Sequence, residues 1–211
     1  ALFRAFVARN MRITFSYPTM PAGRLLNALI SVLVFFFIAR LVPGPVEDRF
    51  LYFPYVLLGL AASVVHTTAL GAFPGAIQRE QTWGTLEHLW VTPVSESRLM
   101  IASALPSMSD GILAFAIYAV LGAWFQPGGG SIDLPALLAF LAAGIAAFSG
   151  LGMISAAFIL IAKRGDPVRF LLARLFEVCG GVYFPLALFP EQLQPLAWLN
   201  PLVPLVRGLR G

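Results

Sequence analysis

From residue 22 onward the chain alternates long apolar runs with short clusters of basic and turn-forming residues. A spanning helix needs about 20 mostly apolar residues, because the hydrocarbon layer is roughly 30 Å thick. Five stretches meet that requirement: 22–42, 50–75, 98–125, 134–162 and 168–185. Arg24 and Arg40 lie near the ends of the first, where long side chains reach interface water. The second carries only His66 as an ionisable group, the third carries Asp110, and the fourth is uncharged. Arg174 and Glu177 lie within the fifth. Ahead of them, residues 1–17 put Leu2, Phe3, Phe6, Val7, Ile13 and Tyr17 on one arc of a helical wheel, opposite Arg4, Arg9 and Arg12. This pattern predicts an amphipathic helix lying in the membrane interface.

The pattern breaks after Phe184. Pro185, Pro190, Pro195, Pro201 and Pro204 crowd a stretch that no continuous spanning helix would carry. Leu186, Leu188, Phe189, Leu193, Leu196 and Trp198 nevertheless keep it apolar. Residues 186–204 therefore read as a re-entrant region of one or two short helices in the outer leaflet, its broken backbone sheltered by protein. In the fourth span Ala142, Ala146 and Gly150, then Gly152 and Ala156, form small-residue rows that permit close helix approach. The predicted fold is an all-α integral membrane protein. Five spans would leave Gly211 on the side opposite the N-terminus, so a sixth span is expected beyond it.

Composition agrees with a membrane chain, at 59% hydrophobic and 11% charged residues and a mean hydropathy of +0.84. The net charge of +4 would suit nucleic acid if the cations formed one patch. They do not. Ten of the fourteen (Arg4, Arg9, Arg12, Arg24, Arg79, Arg98, Lys163, Arg164, Arg169 and Arg174) fall on one side of the predicted topology. The positive-inside rule then predicts a multi-pass plasma (inner) membrane protein with a cytoplasmic N-terminus. The Gly128-Gly129-Gly130 run becomes a flexible turn on the far side. No small-residue cleavage site marks a secretory signal.

Several chemistries are excluded. Cys179 is the only cysteine, so there is no internal disulfide framework or four-Cys zinc site. Lys163 is the only lysine and follows Ala162, so there is no Walker A Gly-Lys for ATP. Ser63, His66 and Asp110 supply the residue types of a hydrolase triad, but no Gly-x-Ser-x-Gly elbow accompanies them. A secondary carrier or channel is the alternative class; such carriers often show inverted repeats, and none is visible here.

Residues 77–97 link the second and third spans and carry QREQTWGTLEHLWVTPVSES. Thr85 suits a helix N-cap, Glu87 the first turn, and Pro93 the stop. With Leu86, Leu89 and Trp90 on one face and Glu87 and His88 beside it, a short amphipathic helix is predicted. The residues Arg79-Glu80-Gln81, Gly84-Thr85-Leu86-Glu87 and Val91-Thr92-Pro93 carry a resemblance, as do Lys163 to Pro167, Gly180 to Pro185 and Asn200-Pro201-Leu202. The chain resembles permease subunits of type-2 ABC transporters, which export polysaccharides, drugs and lipids. The resemblance implies a non-catalytic membrane subunit that pairs with a second permease, a copy or a homologue. Two ABC ATPase subunits, which bind ATP and Mg, would dock beneath the pair. It further implies a coupling helix over 84–92, so that Glu80, Thr85, Leu86, Glu87, His88 and Leu89 form the ATPase contact. Such docking is a helix-in-groove contact. The N-terminal helix would match the family's connecting helix.

Two more groups are candidates. Arg164 and Asp166 could be a second ATPase contact, or Asp166-Pro167 could simply start the next helix. At 1.5 Å per residue, His66, Asp110 and Glu177 fall roughly 14–18 Å into their spans, which predicts a shared polar layer. Arg174, three residues before Glu177, would neutralise it.

Overall fold

The computed structural model describes residues 8–9, 12, 16, 19–41, 46–91, 93–124, 134–162, 165–183, 185–186, 189–190, 192, 194–198 and 200–210. Among them there are helices and turns and no strand. We number the helices α1 (Thr19–Leu41), α2 (Val46–Trp83), α3 (Leu86–Trp90), α4 (Glu96–Trp124), α5 (Leu134–Ala162), α6 (Pro167–Cys179), α7 (Gln194–Trp198) and α8 (Leu202–Arg210). Of the predicted interfacial helix, Ala8, Arg9, Arg12 and Ser16 are described, all helical and exposed. Thr92, the Gly128–Gly130 turn and Lys163-Arg164 lie outside the described residues.

α2 is the axis of the molecule. Its apolar stretch Tyr52–Trp83 is 78% buried, against 28% for the corresponding stretches of α4 and α5. Val56, Leu57, Ala61, Leu70 and Ala72 are sealed from solvent on it, while α4 and α5 turn rows of Ile, Leu and Phe outward. That inversion suits lipid, where exposed leucine costs nothing and the packed interior is fixed by shape. α5 runs parallel to α2, with Phe148 beside His66 and Gly152 against Leu70; α4 runs antiparallel, with Gly111 on Thr68 and Ser107 bonded to Arg79.

One contact explains why α2 and α5 approach so closely. Pro74 inside α2 has no N–H to donate to the Leu70 carbonyl one turn earlier. A Cβ placed on Gly152 would lie 2.6 Å from that carbonyl oxygen. The bare Gly152 lets α5 pack directly over that carbonyl. Its row is Gly144, Phe148, Gly152, Ala156 and Ile159, all buried. The sequence places Ala142, Ala146 and Gly150 in the packing row as well; the structure leaves all three exposed. Two residues around a helix is about 200°, which puts the two small-residue rows on opposite faces.

The helices and the predicted spans differ in their bounds. α2, α4 and α5 each contain a stretch long and apolar enough to cross a membrane, and α1 contains the shorter apolar run Leu25–Leu41. α2 passes Gly75 and continues to Trp83, so the first part of the predicted 77–97 linker is the end of a long helix. The predicted span 168–185 is a helix of only 13 residues, about 20 Å long. Gly181, at φ 69°, turns the chain out of the helix in a conformation that side-chain-bearing residues rarely adopt. The chain keeps to the groove beside α2, where Tyr55 and Tyr52 donate to the Gly181 and Tyr183 carbonyls (3.4 and 3.3 Å).

The proline-rich tail is broken, as its sequence predicts, and Asn200 holds the break. Buried between α7 and α8, its amide donates to the Phe176 carbonyl in the last turn of α6 (2.8 Å). Its oxygen accepts from Leu202 N–H (2.9 Å), capping α8. α8 runs past the predicted re-entrant boundary at 204 and buries Leu202, Val203, Leu205 and Val206. Asn200→Ala is expected to cost about 2–3 kcal/mol, roughly 1 for the cap and 1–2 for the abandoned carbonyl. Asn200→Asp keeps the cap acceptor but cannot donate, and should fall between the two. Thermal unfolding in detergent measures both, and a loss below about 0.5 kcal/mol for Ala would dismiss the double role.

Candidate functional site

The end of α2 builds a small rigid corner. Gly84 adopts φ 68°, with Thr85 N–H bonded to the Glu80 carbonyl (3.0 Å) and Gly84 N–H to that of Gln81 (3.2 Å). This pair of bonds around a left-handed glycine is a Schellman stop. It ends α2 and aims α3 away from it. Thr85 occupies the predicted N-cap position, yet its hydroxyl donates back to the Glu80 carboxylate. Glu80 therefore receives Thr85 twice, through backbone and side chain.

Arg9 completes the corner. Its guanidinium pairs with Glu80 at 2.8 Å and lies 5.6 Å from the Trp83 ring centre, so the N-terminal segment clamps the corner. On the other side Arg79 donates to Ser107 Oγ and to the Ser103 carbonyl, both at 3.3 Å, which ties α2 to α4. Ser95 precedes α4 and its carbonyl accepts from Leu99 N–H (3.1 Å).

Leu86 of α3 faces inward and helps line a cavity of about 100 Å³ with Ala76, Ile77, Leu99, Met100 and Leu160. Glu87 and His88 are exposed, and so are Trp83 and Val91. Leu86, within the predicted contact, is half-buried and turns part of its side chain to the cavity beneath α3. Val91, inside the predicted 84–92 coupling helix, is 87% exposed. The Leu89 side chain lies outside the described residues.

Asp166, the other proposed contact, turns inward. Its carboxylate accepts from Arg169 N–H (3.0 Å) and from the Ser155 hydroxyl, and is only 6% exposed. With Pro167 at the first position, it caps α6. That is the helix-start alternative of the sequence. Arg164 lies outside the described residues.

The predicted polar layer divides. Glu177 accepts from Tyr183 (2.7 Å), Ser63 (3.0 Å) and Arg174 (3.0 Å), so the expected Arg174–Glu177 pair is present. His66 is sealed between Phe148 and Phe176, with ring centroids at 4.7 and 5.9 Å. Neither of its nitrogens has a hydrogen-bond partner. Asp110 does not join them; it interacts electrostatically with Arg79 across the α2–α4 contact. A depth count along a helix does not fix direction around it. Ser63 and Tyr183 complete the cluster, and Tyr183 was overlooked because it lies beyond the Gly181 turn.

The model of the ABC-2 type transporter family matches residues 1–211. The chain belongs to the ABC-2 type transporter family. Its members are membrane transport components that work with ABC ATPases, and this chain is accordingly a transmembrane permease of that class. A search of curated proteins finds no match to it.

Proposed function

We propose that this ABC-2 permease exports its cargo across the plasma membrane, and that α3 takes up the ATPase stroke. It acts as a dimer of permeases with its N-terminus and α3 in the cytoplasm, above ATPase subunits that hold the ATP and Mg. The carrying observation is the corner: α3 is fastened to α2 through Glu80, Thr85 and Arg9 while Glu87, His88 and Val91 stay exposed. A helix held by its neighbours and bare on its outer face moves its attached helix when pushed. Ten cations on this side support the orientation.

The test replaces the exposed face while sparing the packing. Glu87→Lys with Val91→Asp should lose co-purification of the partner ATPase, with permease stability changed by less than about 0.5 kcal/mol. Retention of the ATPase at wild-type stoichiometry would refute the contact.

A further inference from the structure

α6 carries two arginines in a region that should be apolar, and both are built the same way. Arg169 pairs with Asp166 at 3.3 Å, with side chains 42% and 6% exposed. Arg174 pairs with Glu177 at 3.0 Å, with side chains 67% and 12% exposed. In each pair the acid is inside and the cation outside. Glu177 is further occupied by the Ser63 and Tyr183 hydroxyls. A group arriving from the membrane therefore meets guanidinium, with the carboxylates behind it.

The neighbouring helix makes room for this arrangement. Ser63, Thr67 and Gly71 lie four residues apart, on one face of α2. Ser63 meets Glu177, and a Cβ on Gly71 would stand 2.7 Å from an Arg169 guanidinium nitrogen. Midway between them Thr67 is exposed, roughly level with the small Ala173. Phe170, Leu171, Leu175 and Val178 form apolar, exposed surroundings.

We propose that the α2–α6 groove is a headgroup track for an anionic amphiphile, whose phosphate or carboxylate is bound by Arg169 and Arg174. The proposal rests on the permease reading and names the class of its cargo. Guanidinium suits such groups because its planar fork offers paired donors. Each arginine gives part of that fork to its acid; Arg174 is 67% exposed with the remainder, while Arg169, 42% exposed, also lies against α2 at Gly71. An arginine against hydrocarbon is costly, and an anionic headgroup lowers that cost. The apolar surroundings take the chain attached to that headgroup.

The experiment uses the full chain in nanodiscs with two photoactivatable lipids, phosphatidylglycerol and phosphatidylcholine, each with its diazirine beside the headgroup. Labelling of residues 167–179 is mapped by mass spectrometry, with the α4 start around Arg98 as the reference for general interfacial attraction. The phosphatidylglycerol preference on α6 should exceed that at the reference. It should fall about fivefold per arginine removed in R169Q/R174Q, the factor set by roughly 1 kcal/mol per basic residue near anionic lipid. R169K/R174K keeps the charge and should retain most of the preference. Equal labelling by both lipids, or a preference unchanged in R169Q/R174Q, would overturn the proposal. So would a 167–179 segment unlabelled by either lipid because a second permease covers it. Labelling requires no ATPase, and R169Q/R174Q should still bring the ATPase down. Failure of the wild type to bind an ATPase would count against the permease reading alone.

Discussion

Gly152→Leu should prevent the bundle from folding, while Gly150→Leu, two residues away, should leave it intact. At Gly152 even the first added carbon meets the backbone oxygen of Leu70 at 2.6 Å, and backbone cannot rotate aside as a side chain can. At Gly150 nothing lies within 4 Å. Overpacking ordinarily costs about 1–3 kcal/mol when side chains can shift. Here relief requires parting α5 from the central helix, so the loss should exceed that range. Gly152→Ala provides the graded case, expected at the upper end of it. Yield of monodisperse protein and thermal unfolding in detergent decide the matter, and equal behaviour at positions 150 and 152 would sink the packing account.

Glu80→Ala should uncouple the machine without dissolving it. Its carboxylate, 4% exposed on the side chain, is the shared partner of Arg9 and the Thr85 hydroxyl. Removing it leaves α3 held by the Schellman bonds and the Leu86 packing, a loss of about 1–3 kcal/mol that corresponds to a roughly 5- to 150-fold fall in the docked population. Hydrogen exchange at residues 84–91 should accelerate by that factor, while α5 amides stay protected. Transport by the assembled complex should drop with ATP hydrolysis retained. Glu80→Gln keeps an acceptor for Thr85 but loses the charge facing Arg9, and should lie between. Unchanged exchange at 84–91 in the Ala variant would mean that Glu80 does not secure α3.

The helical membrane fold was legible because apolar length and basic clusters are properties of the chain itself. The Arg174–Glu177 pair was legible for the same reason, since spacing of three sets neighbours on a helix. Direction was harder to read. The choice between Gly150 and Gly152, and the separation of Asp110 from His66, depend on how helices rotate against one another. Which face of α3 is covered was not readable either, because a five-residue helix is too short for its periodicity to reveal it. Tyr183 entered the Glu177 cluster through the Gly181 turn, which no helical count crosses.

The missing rung in α2 has a mechanical consequence. A helix without its Leu70–Pro74 bond still carries thrust along its axis, because the neighbouring bonds and the covalent chain bear compression. Sideways load is different, since resistance to bending is weakest where a rung is absent. Gly152 rests at that point like a bearing against a shaft. The segment from Gly75 to Trp83 can therefore bend there under lateral load as far as the Arg79 bonds to α4 allow. Strokes directed along α2 would pass into the bundle, and strokes across it would be spent in the joint.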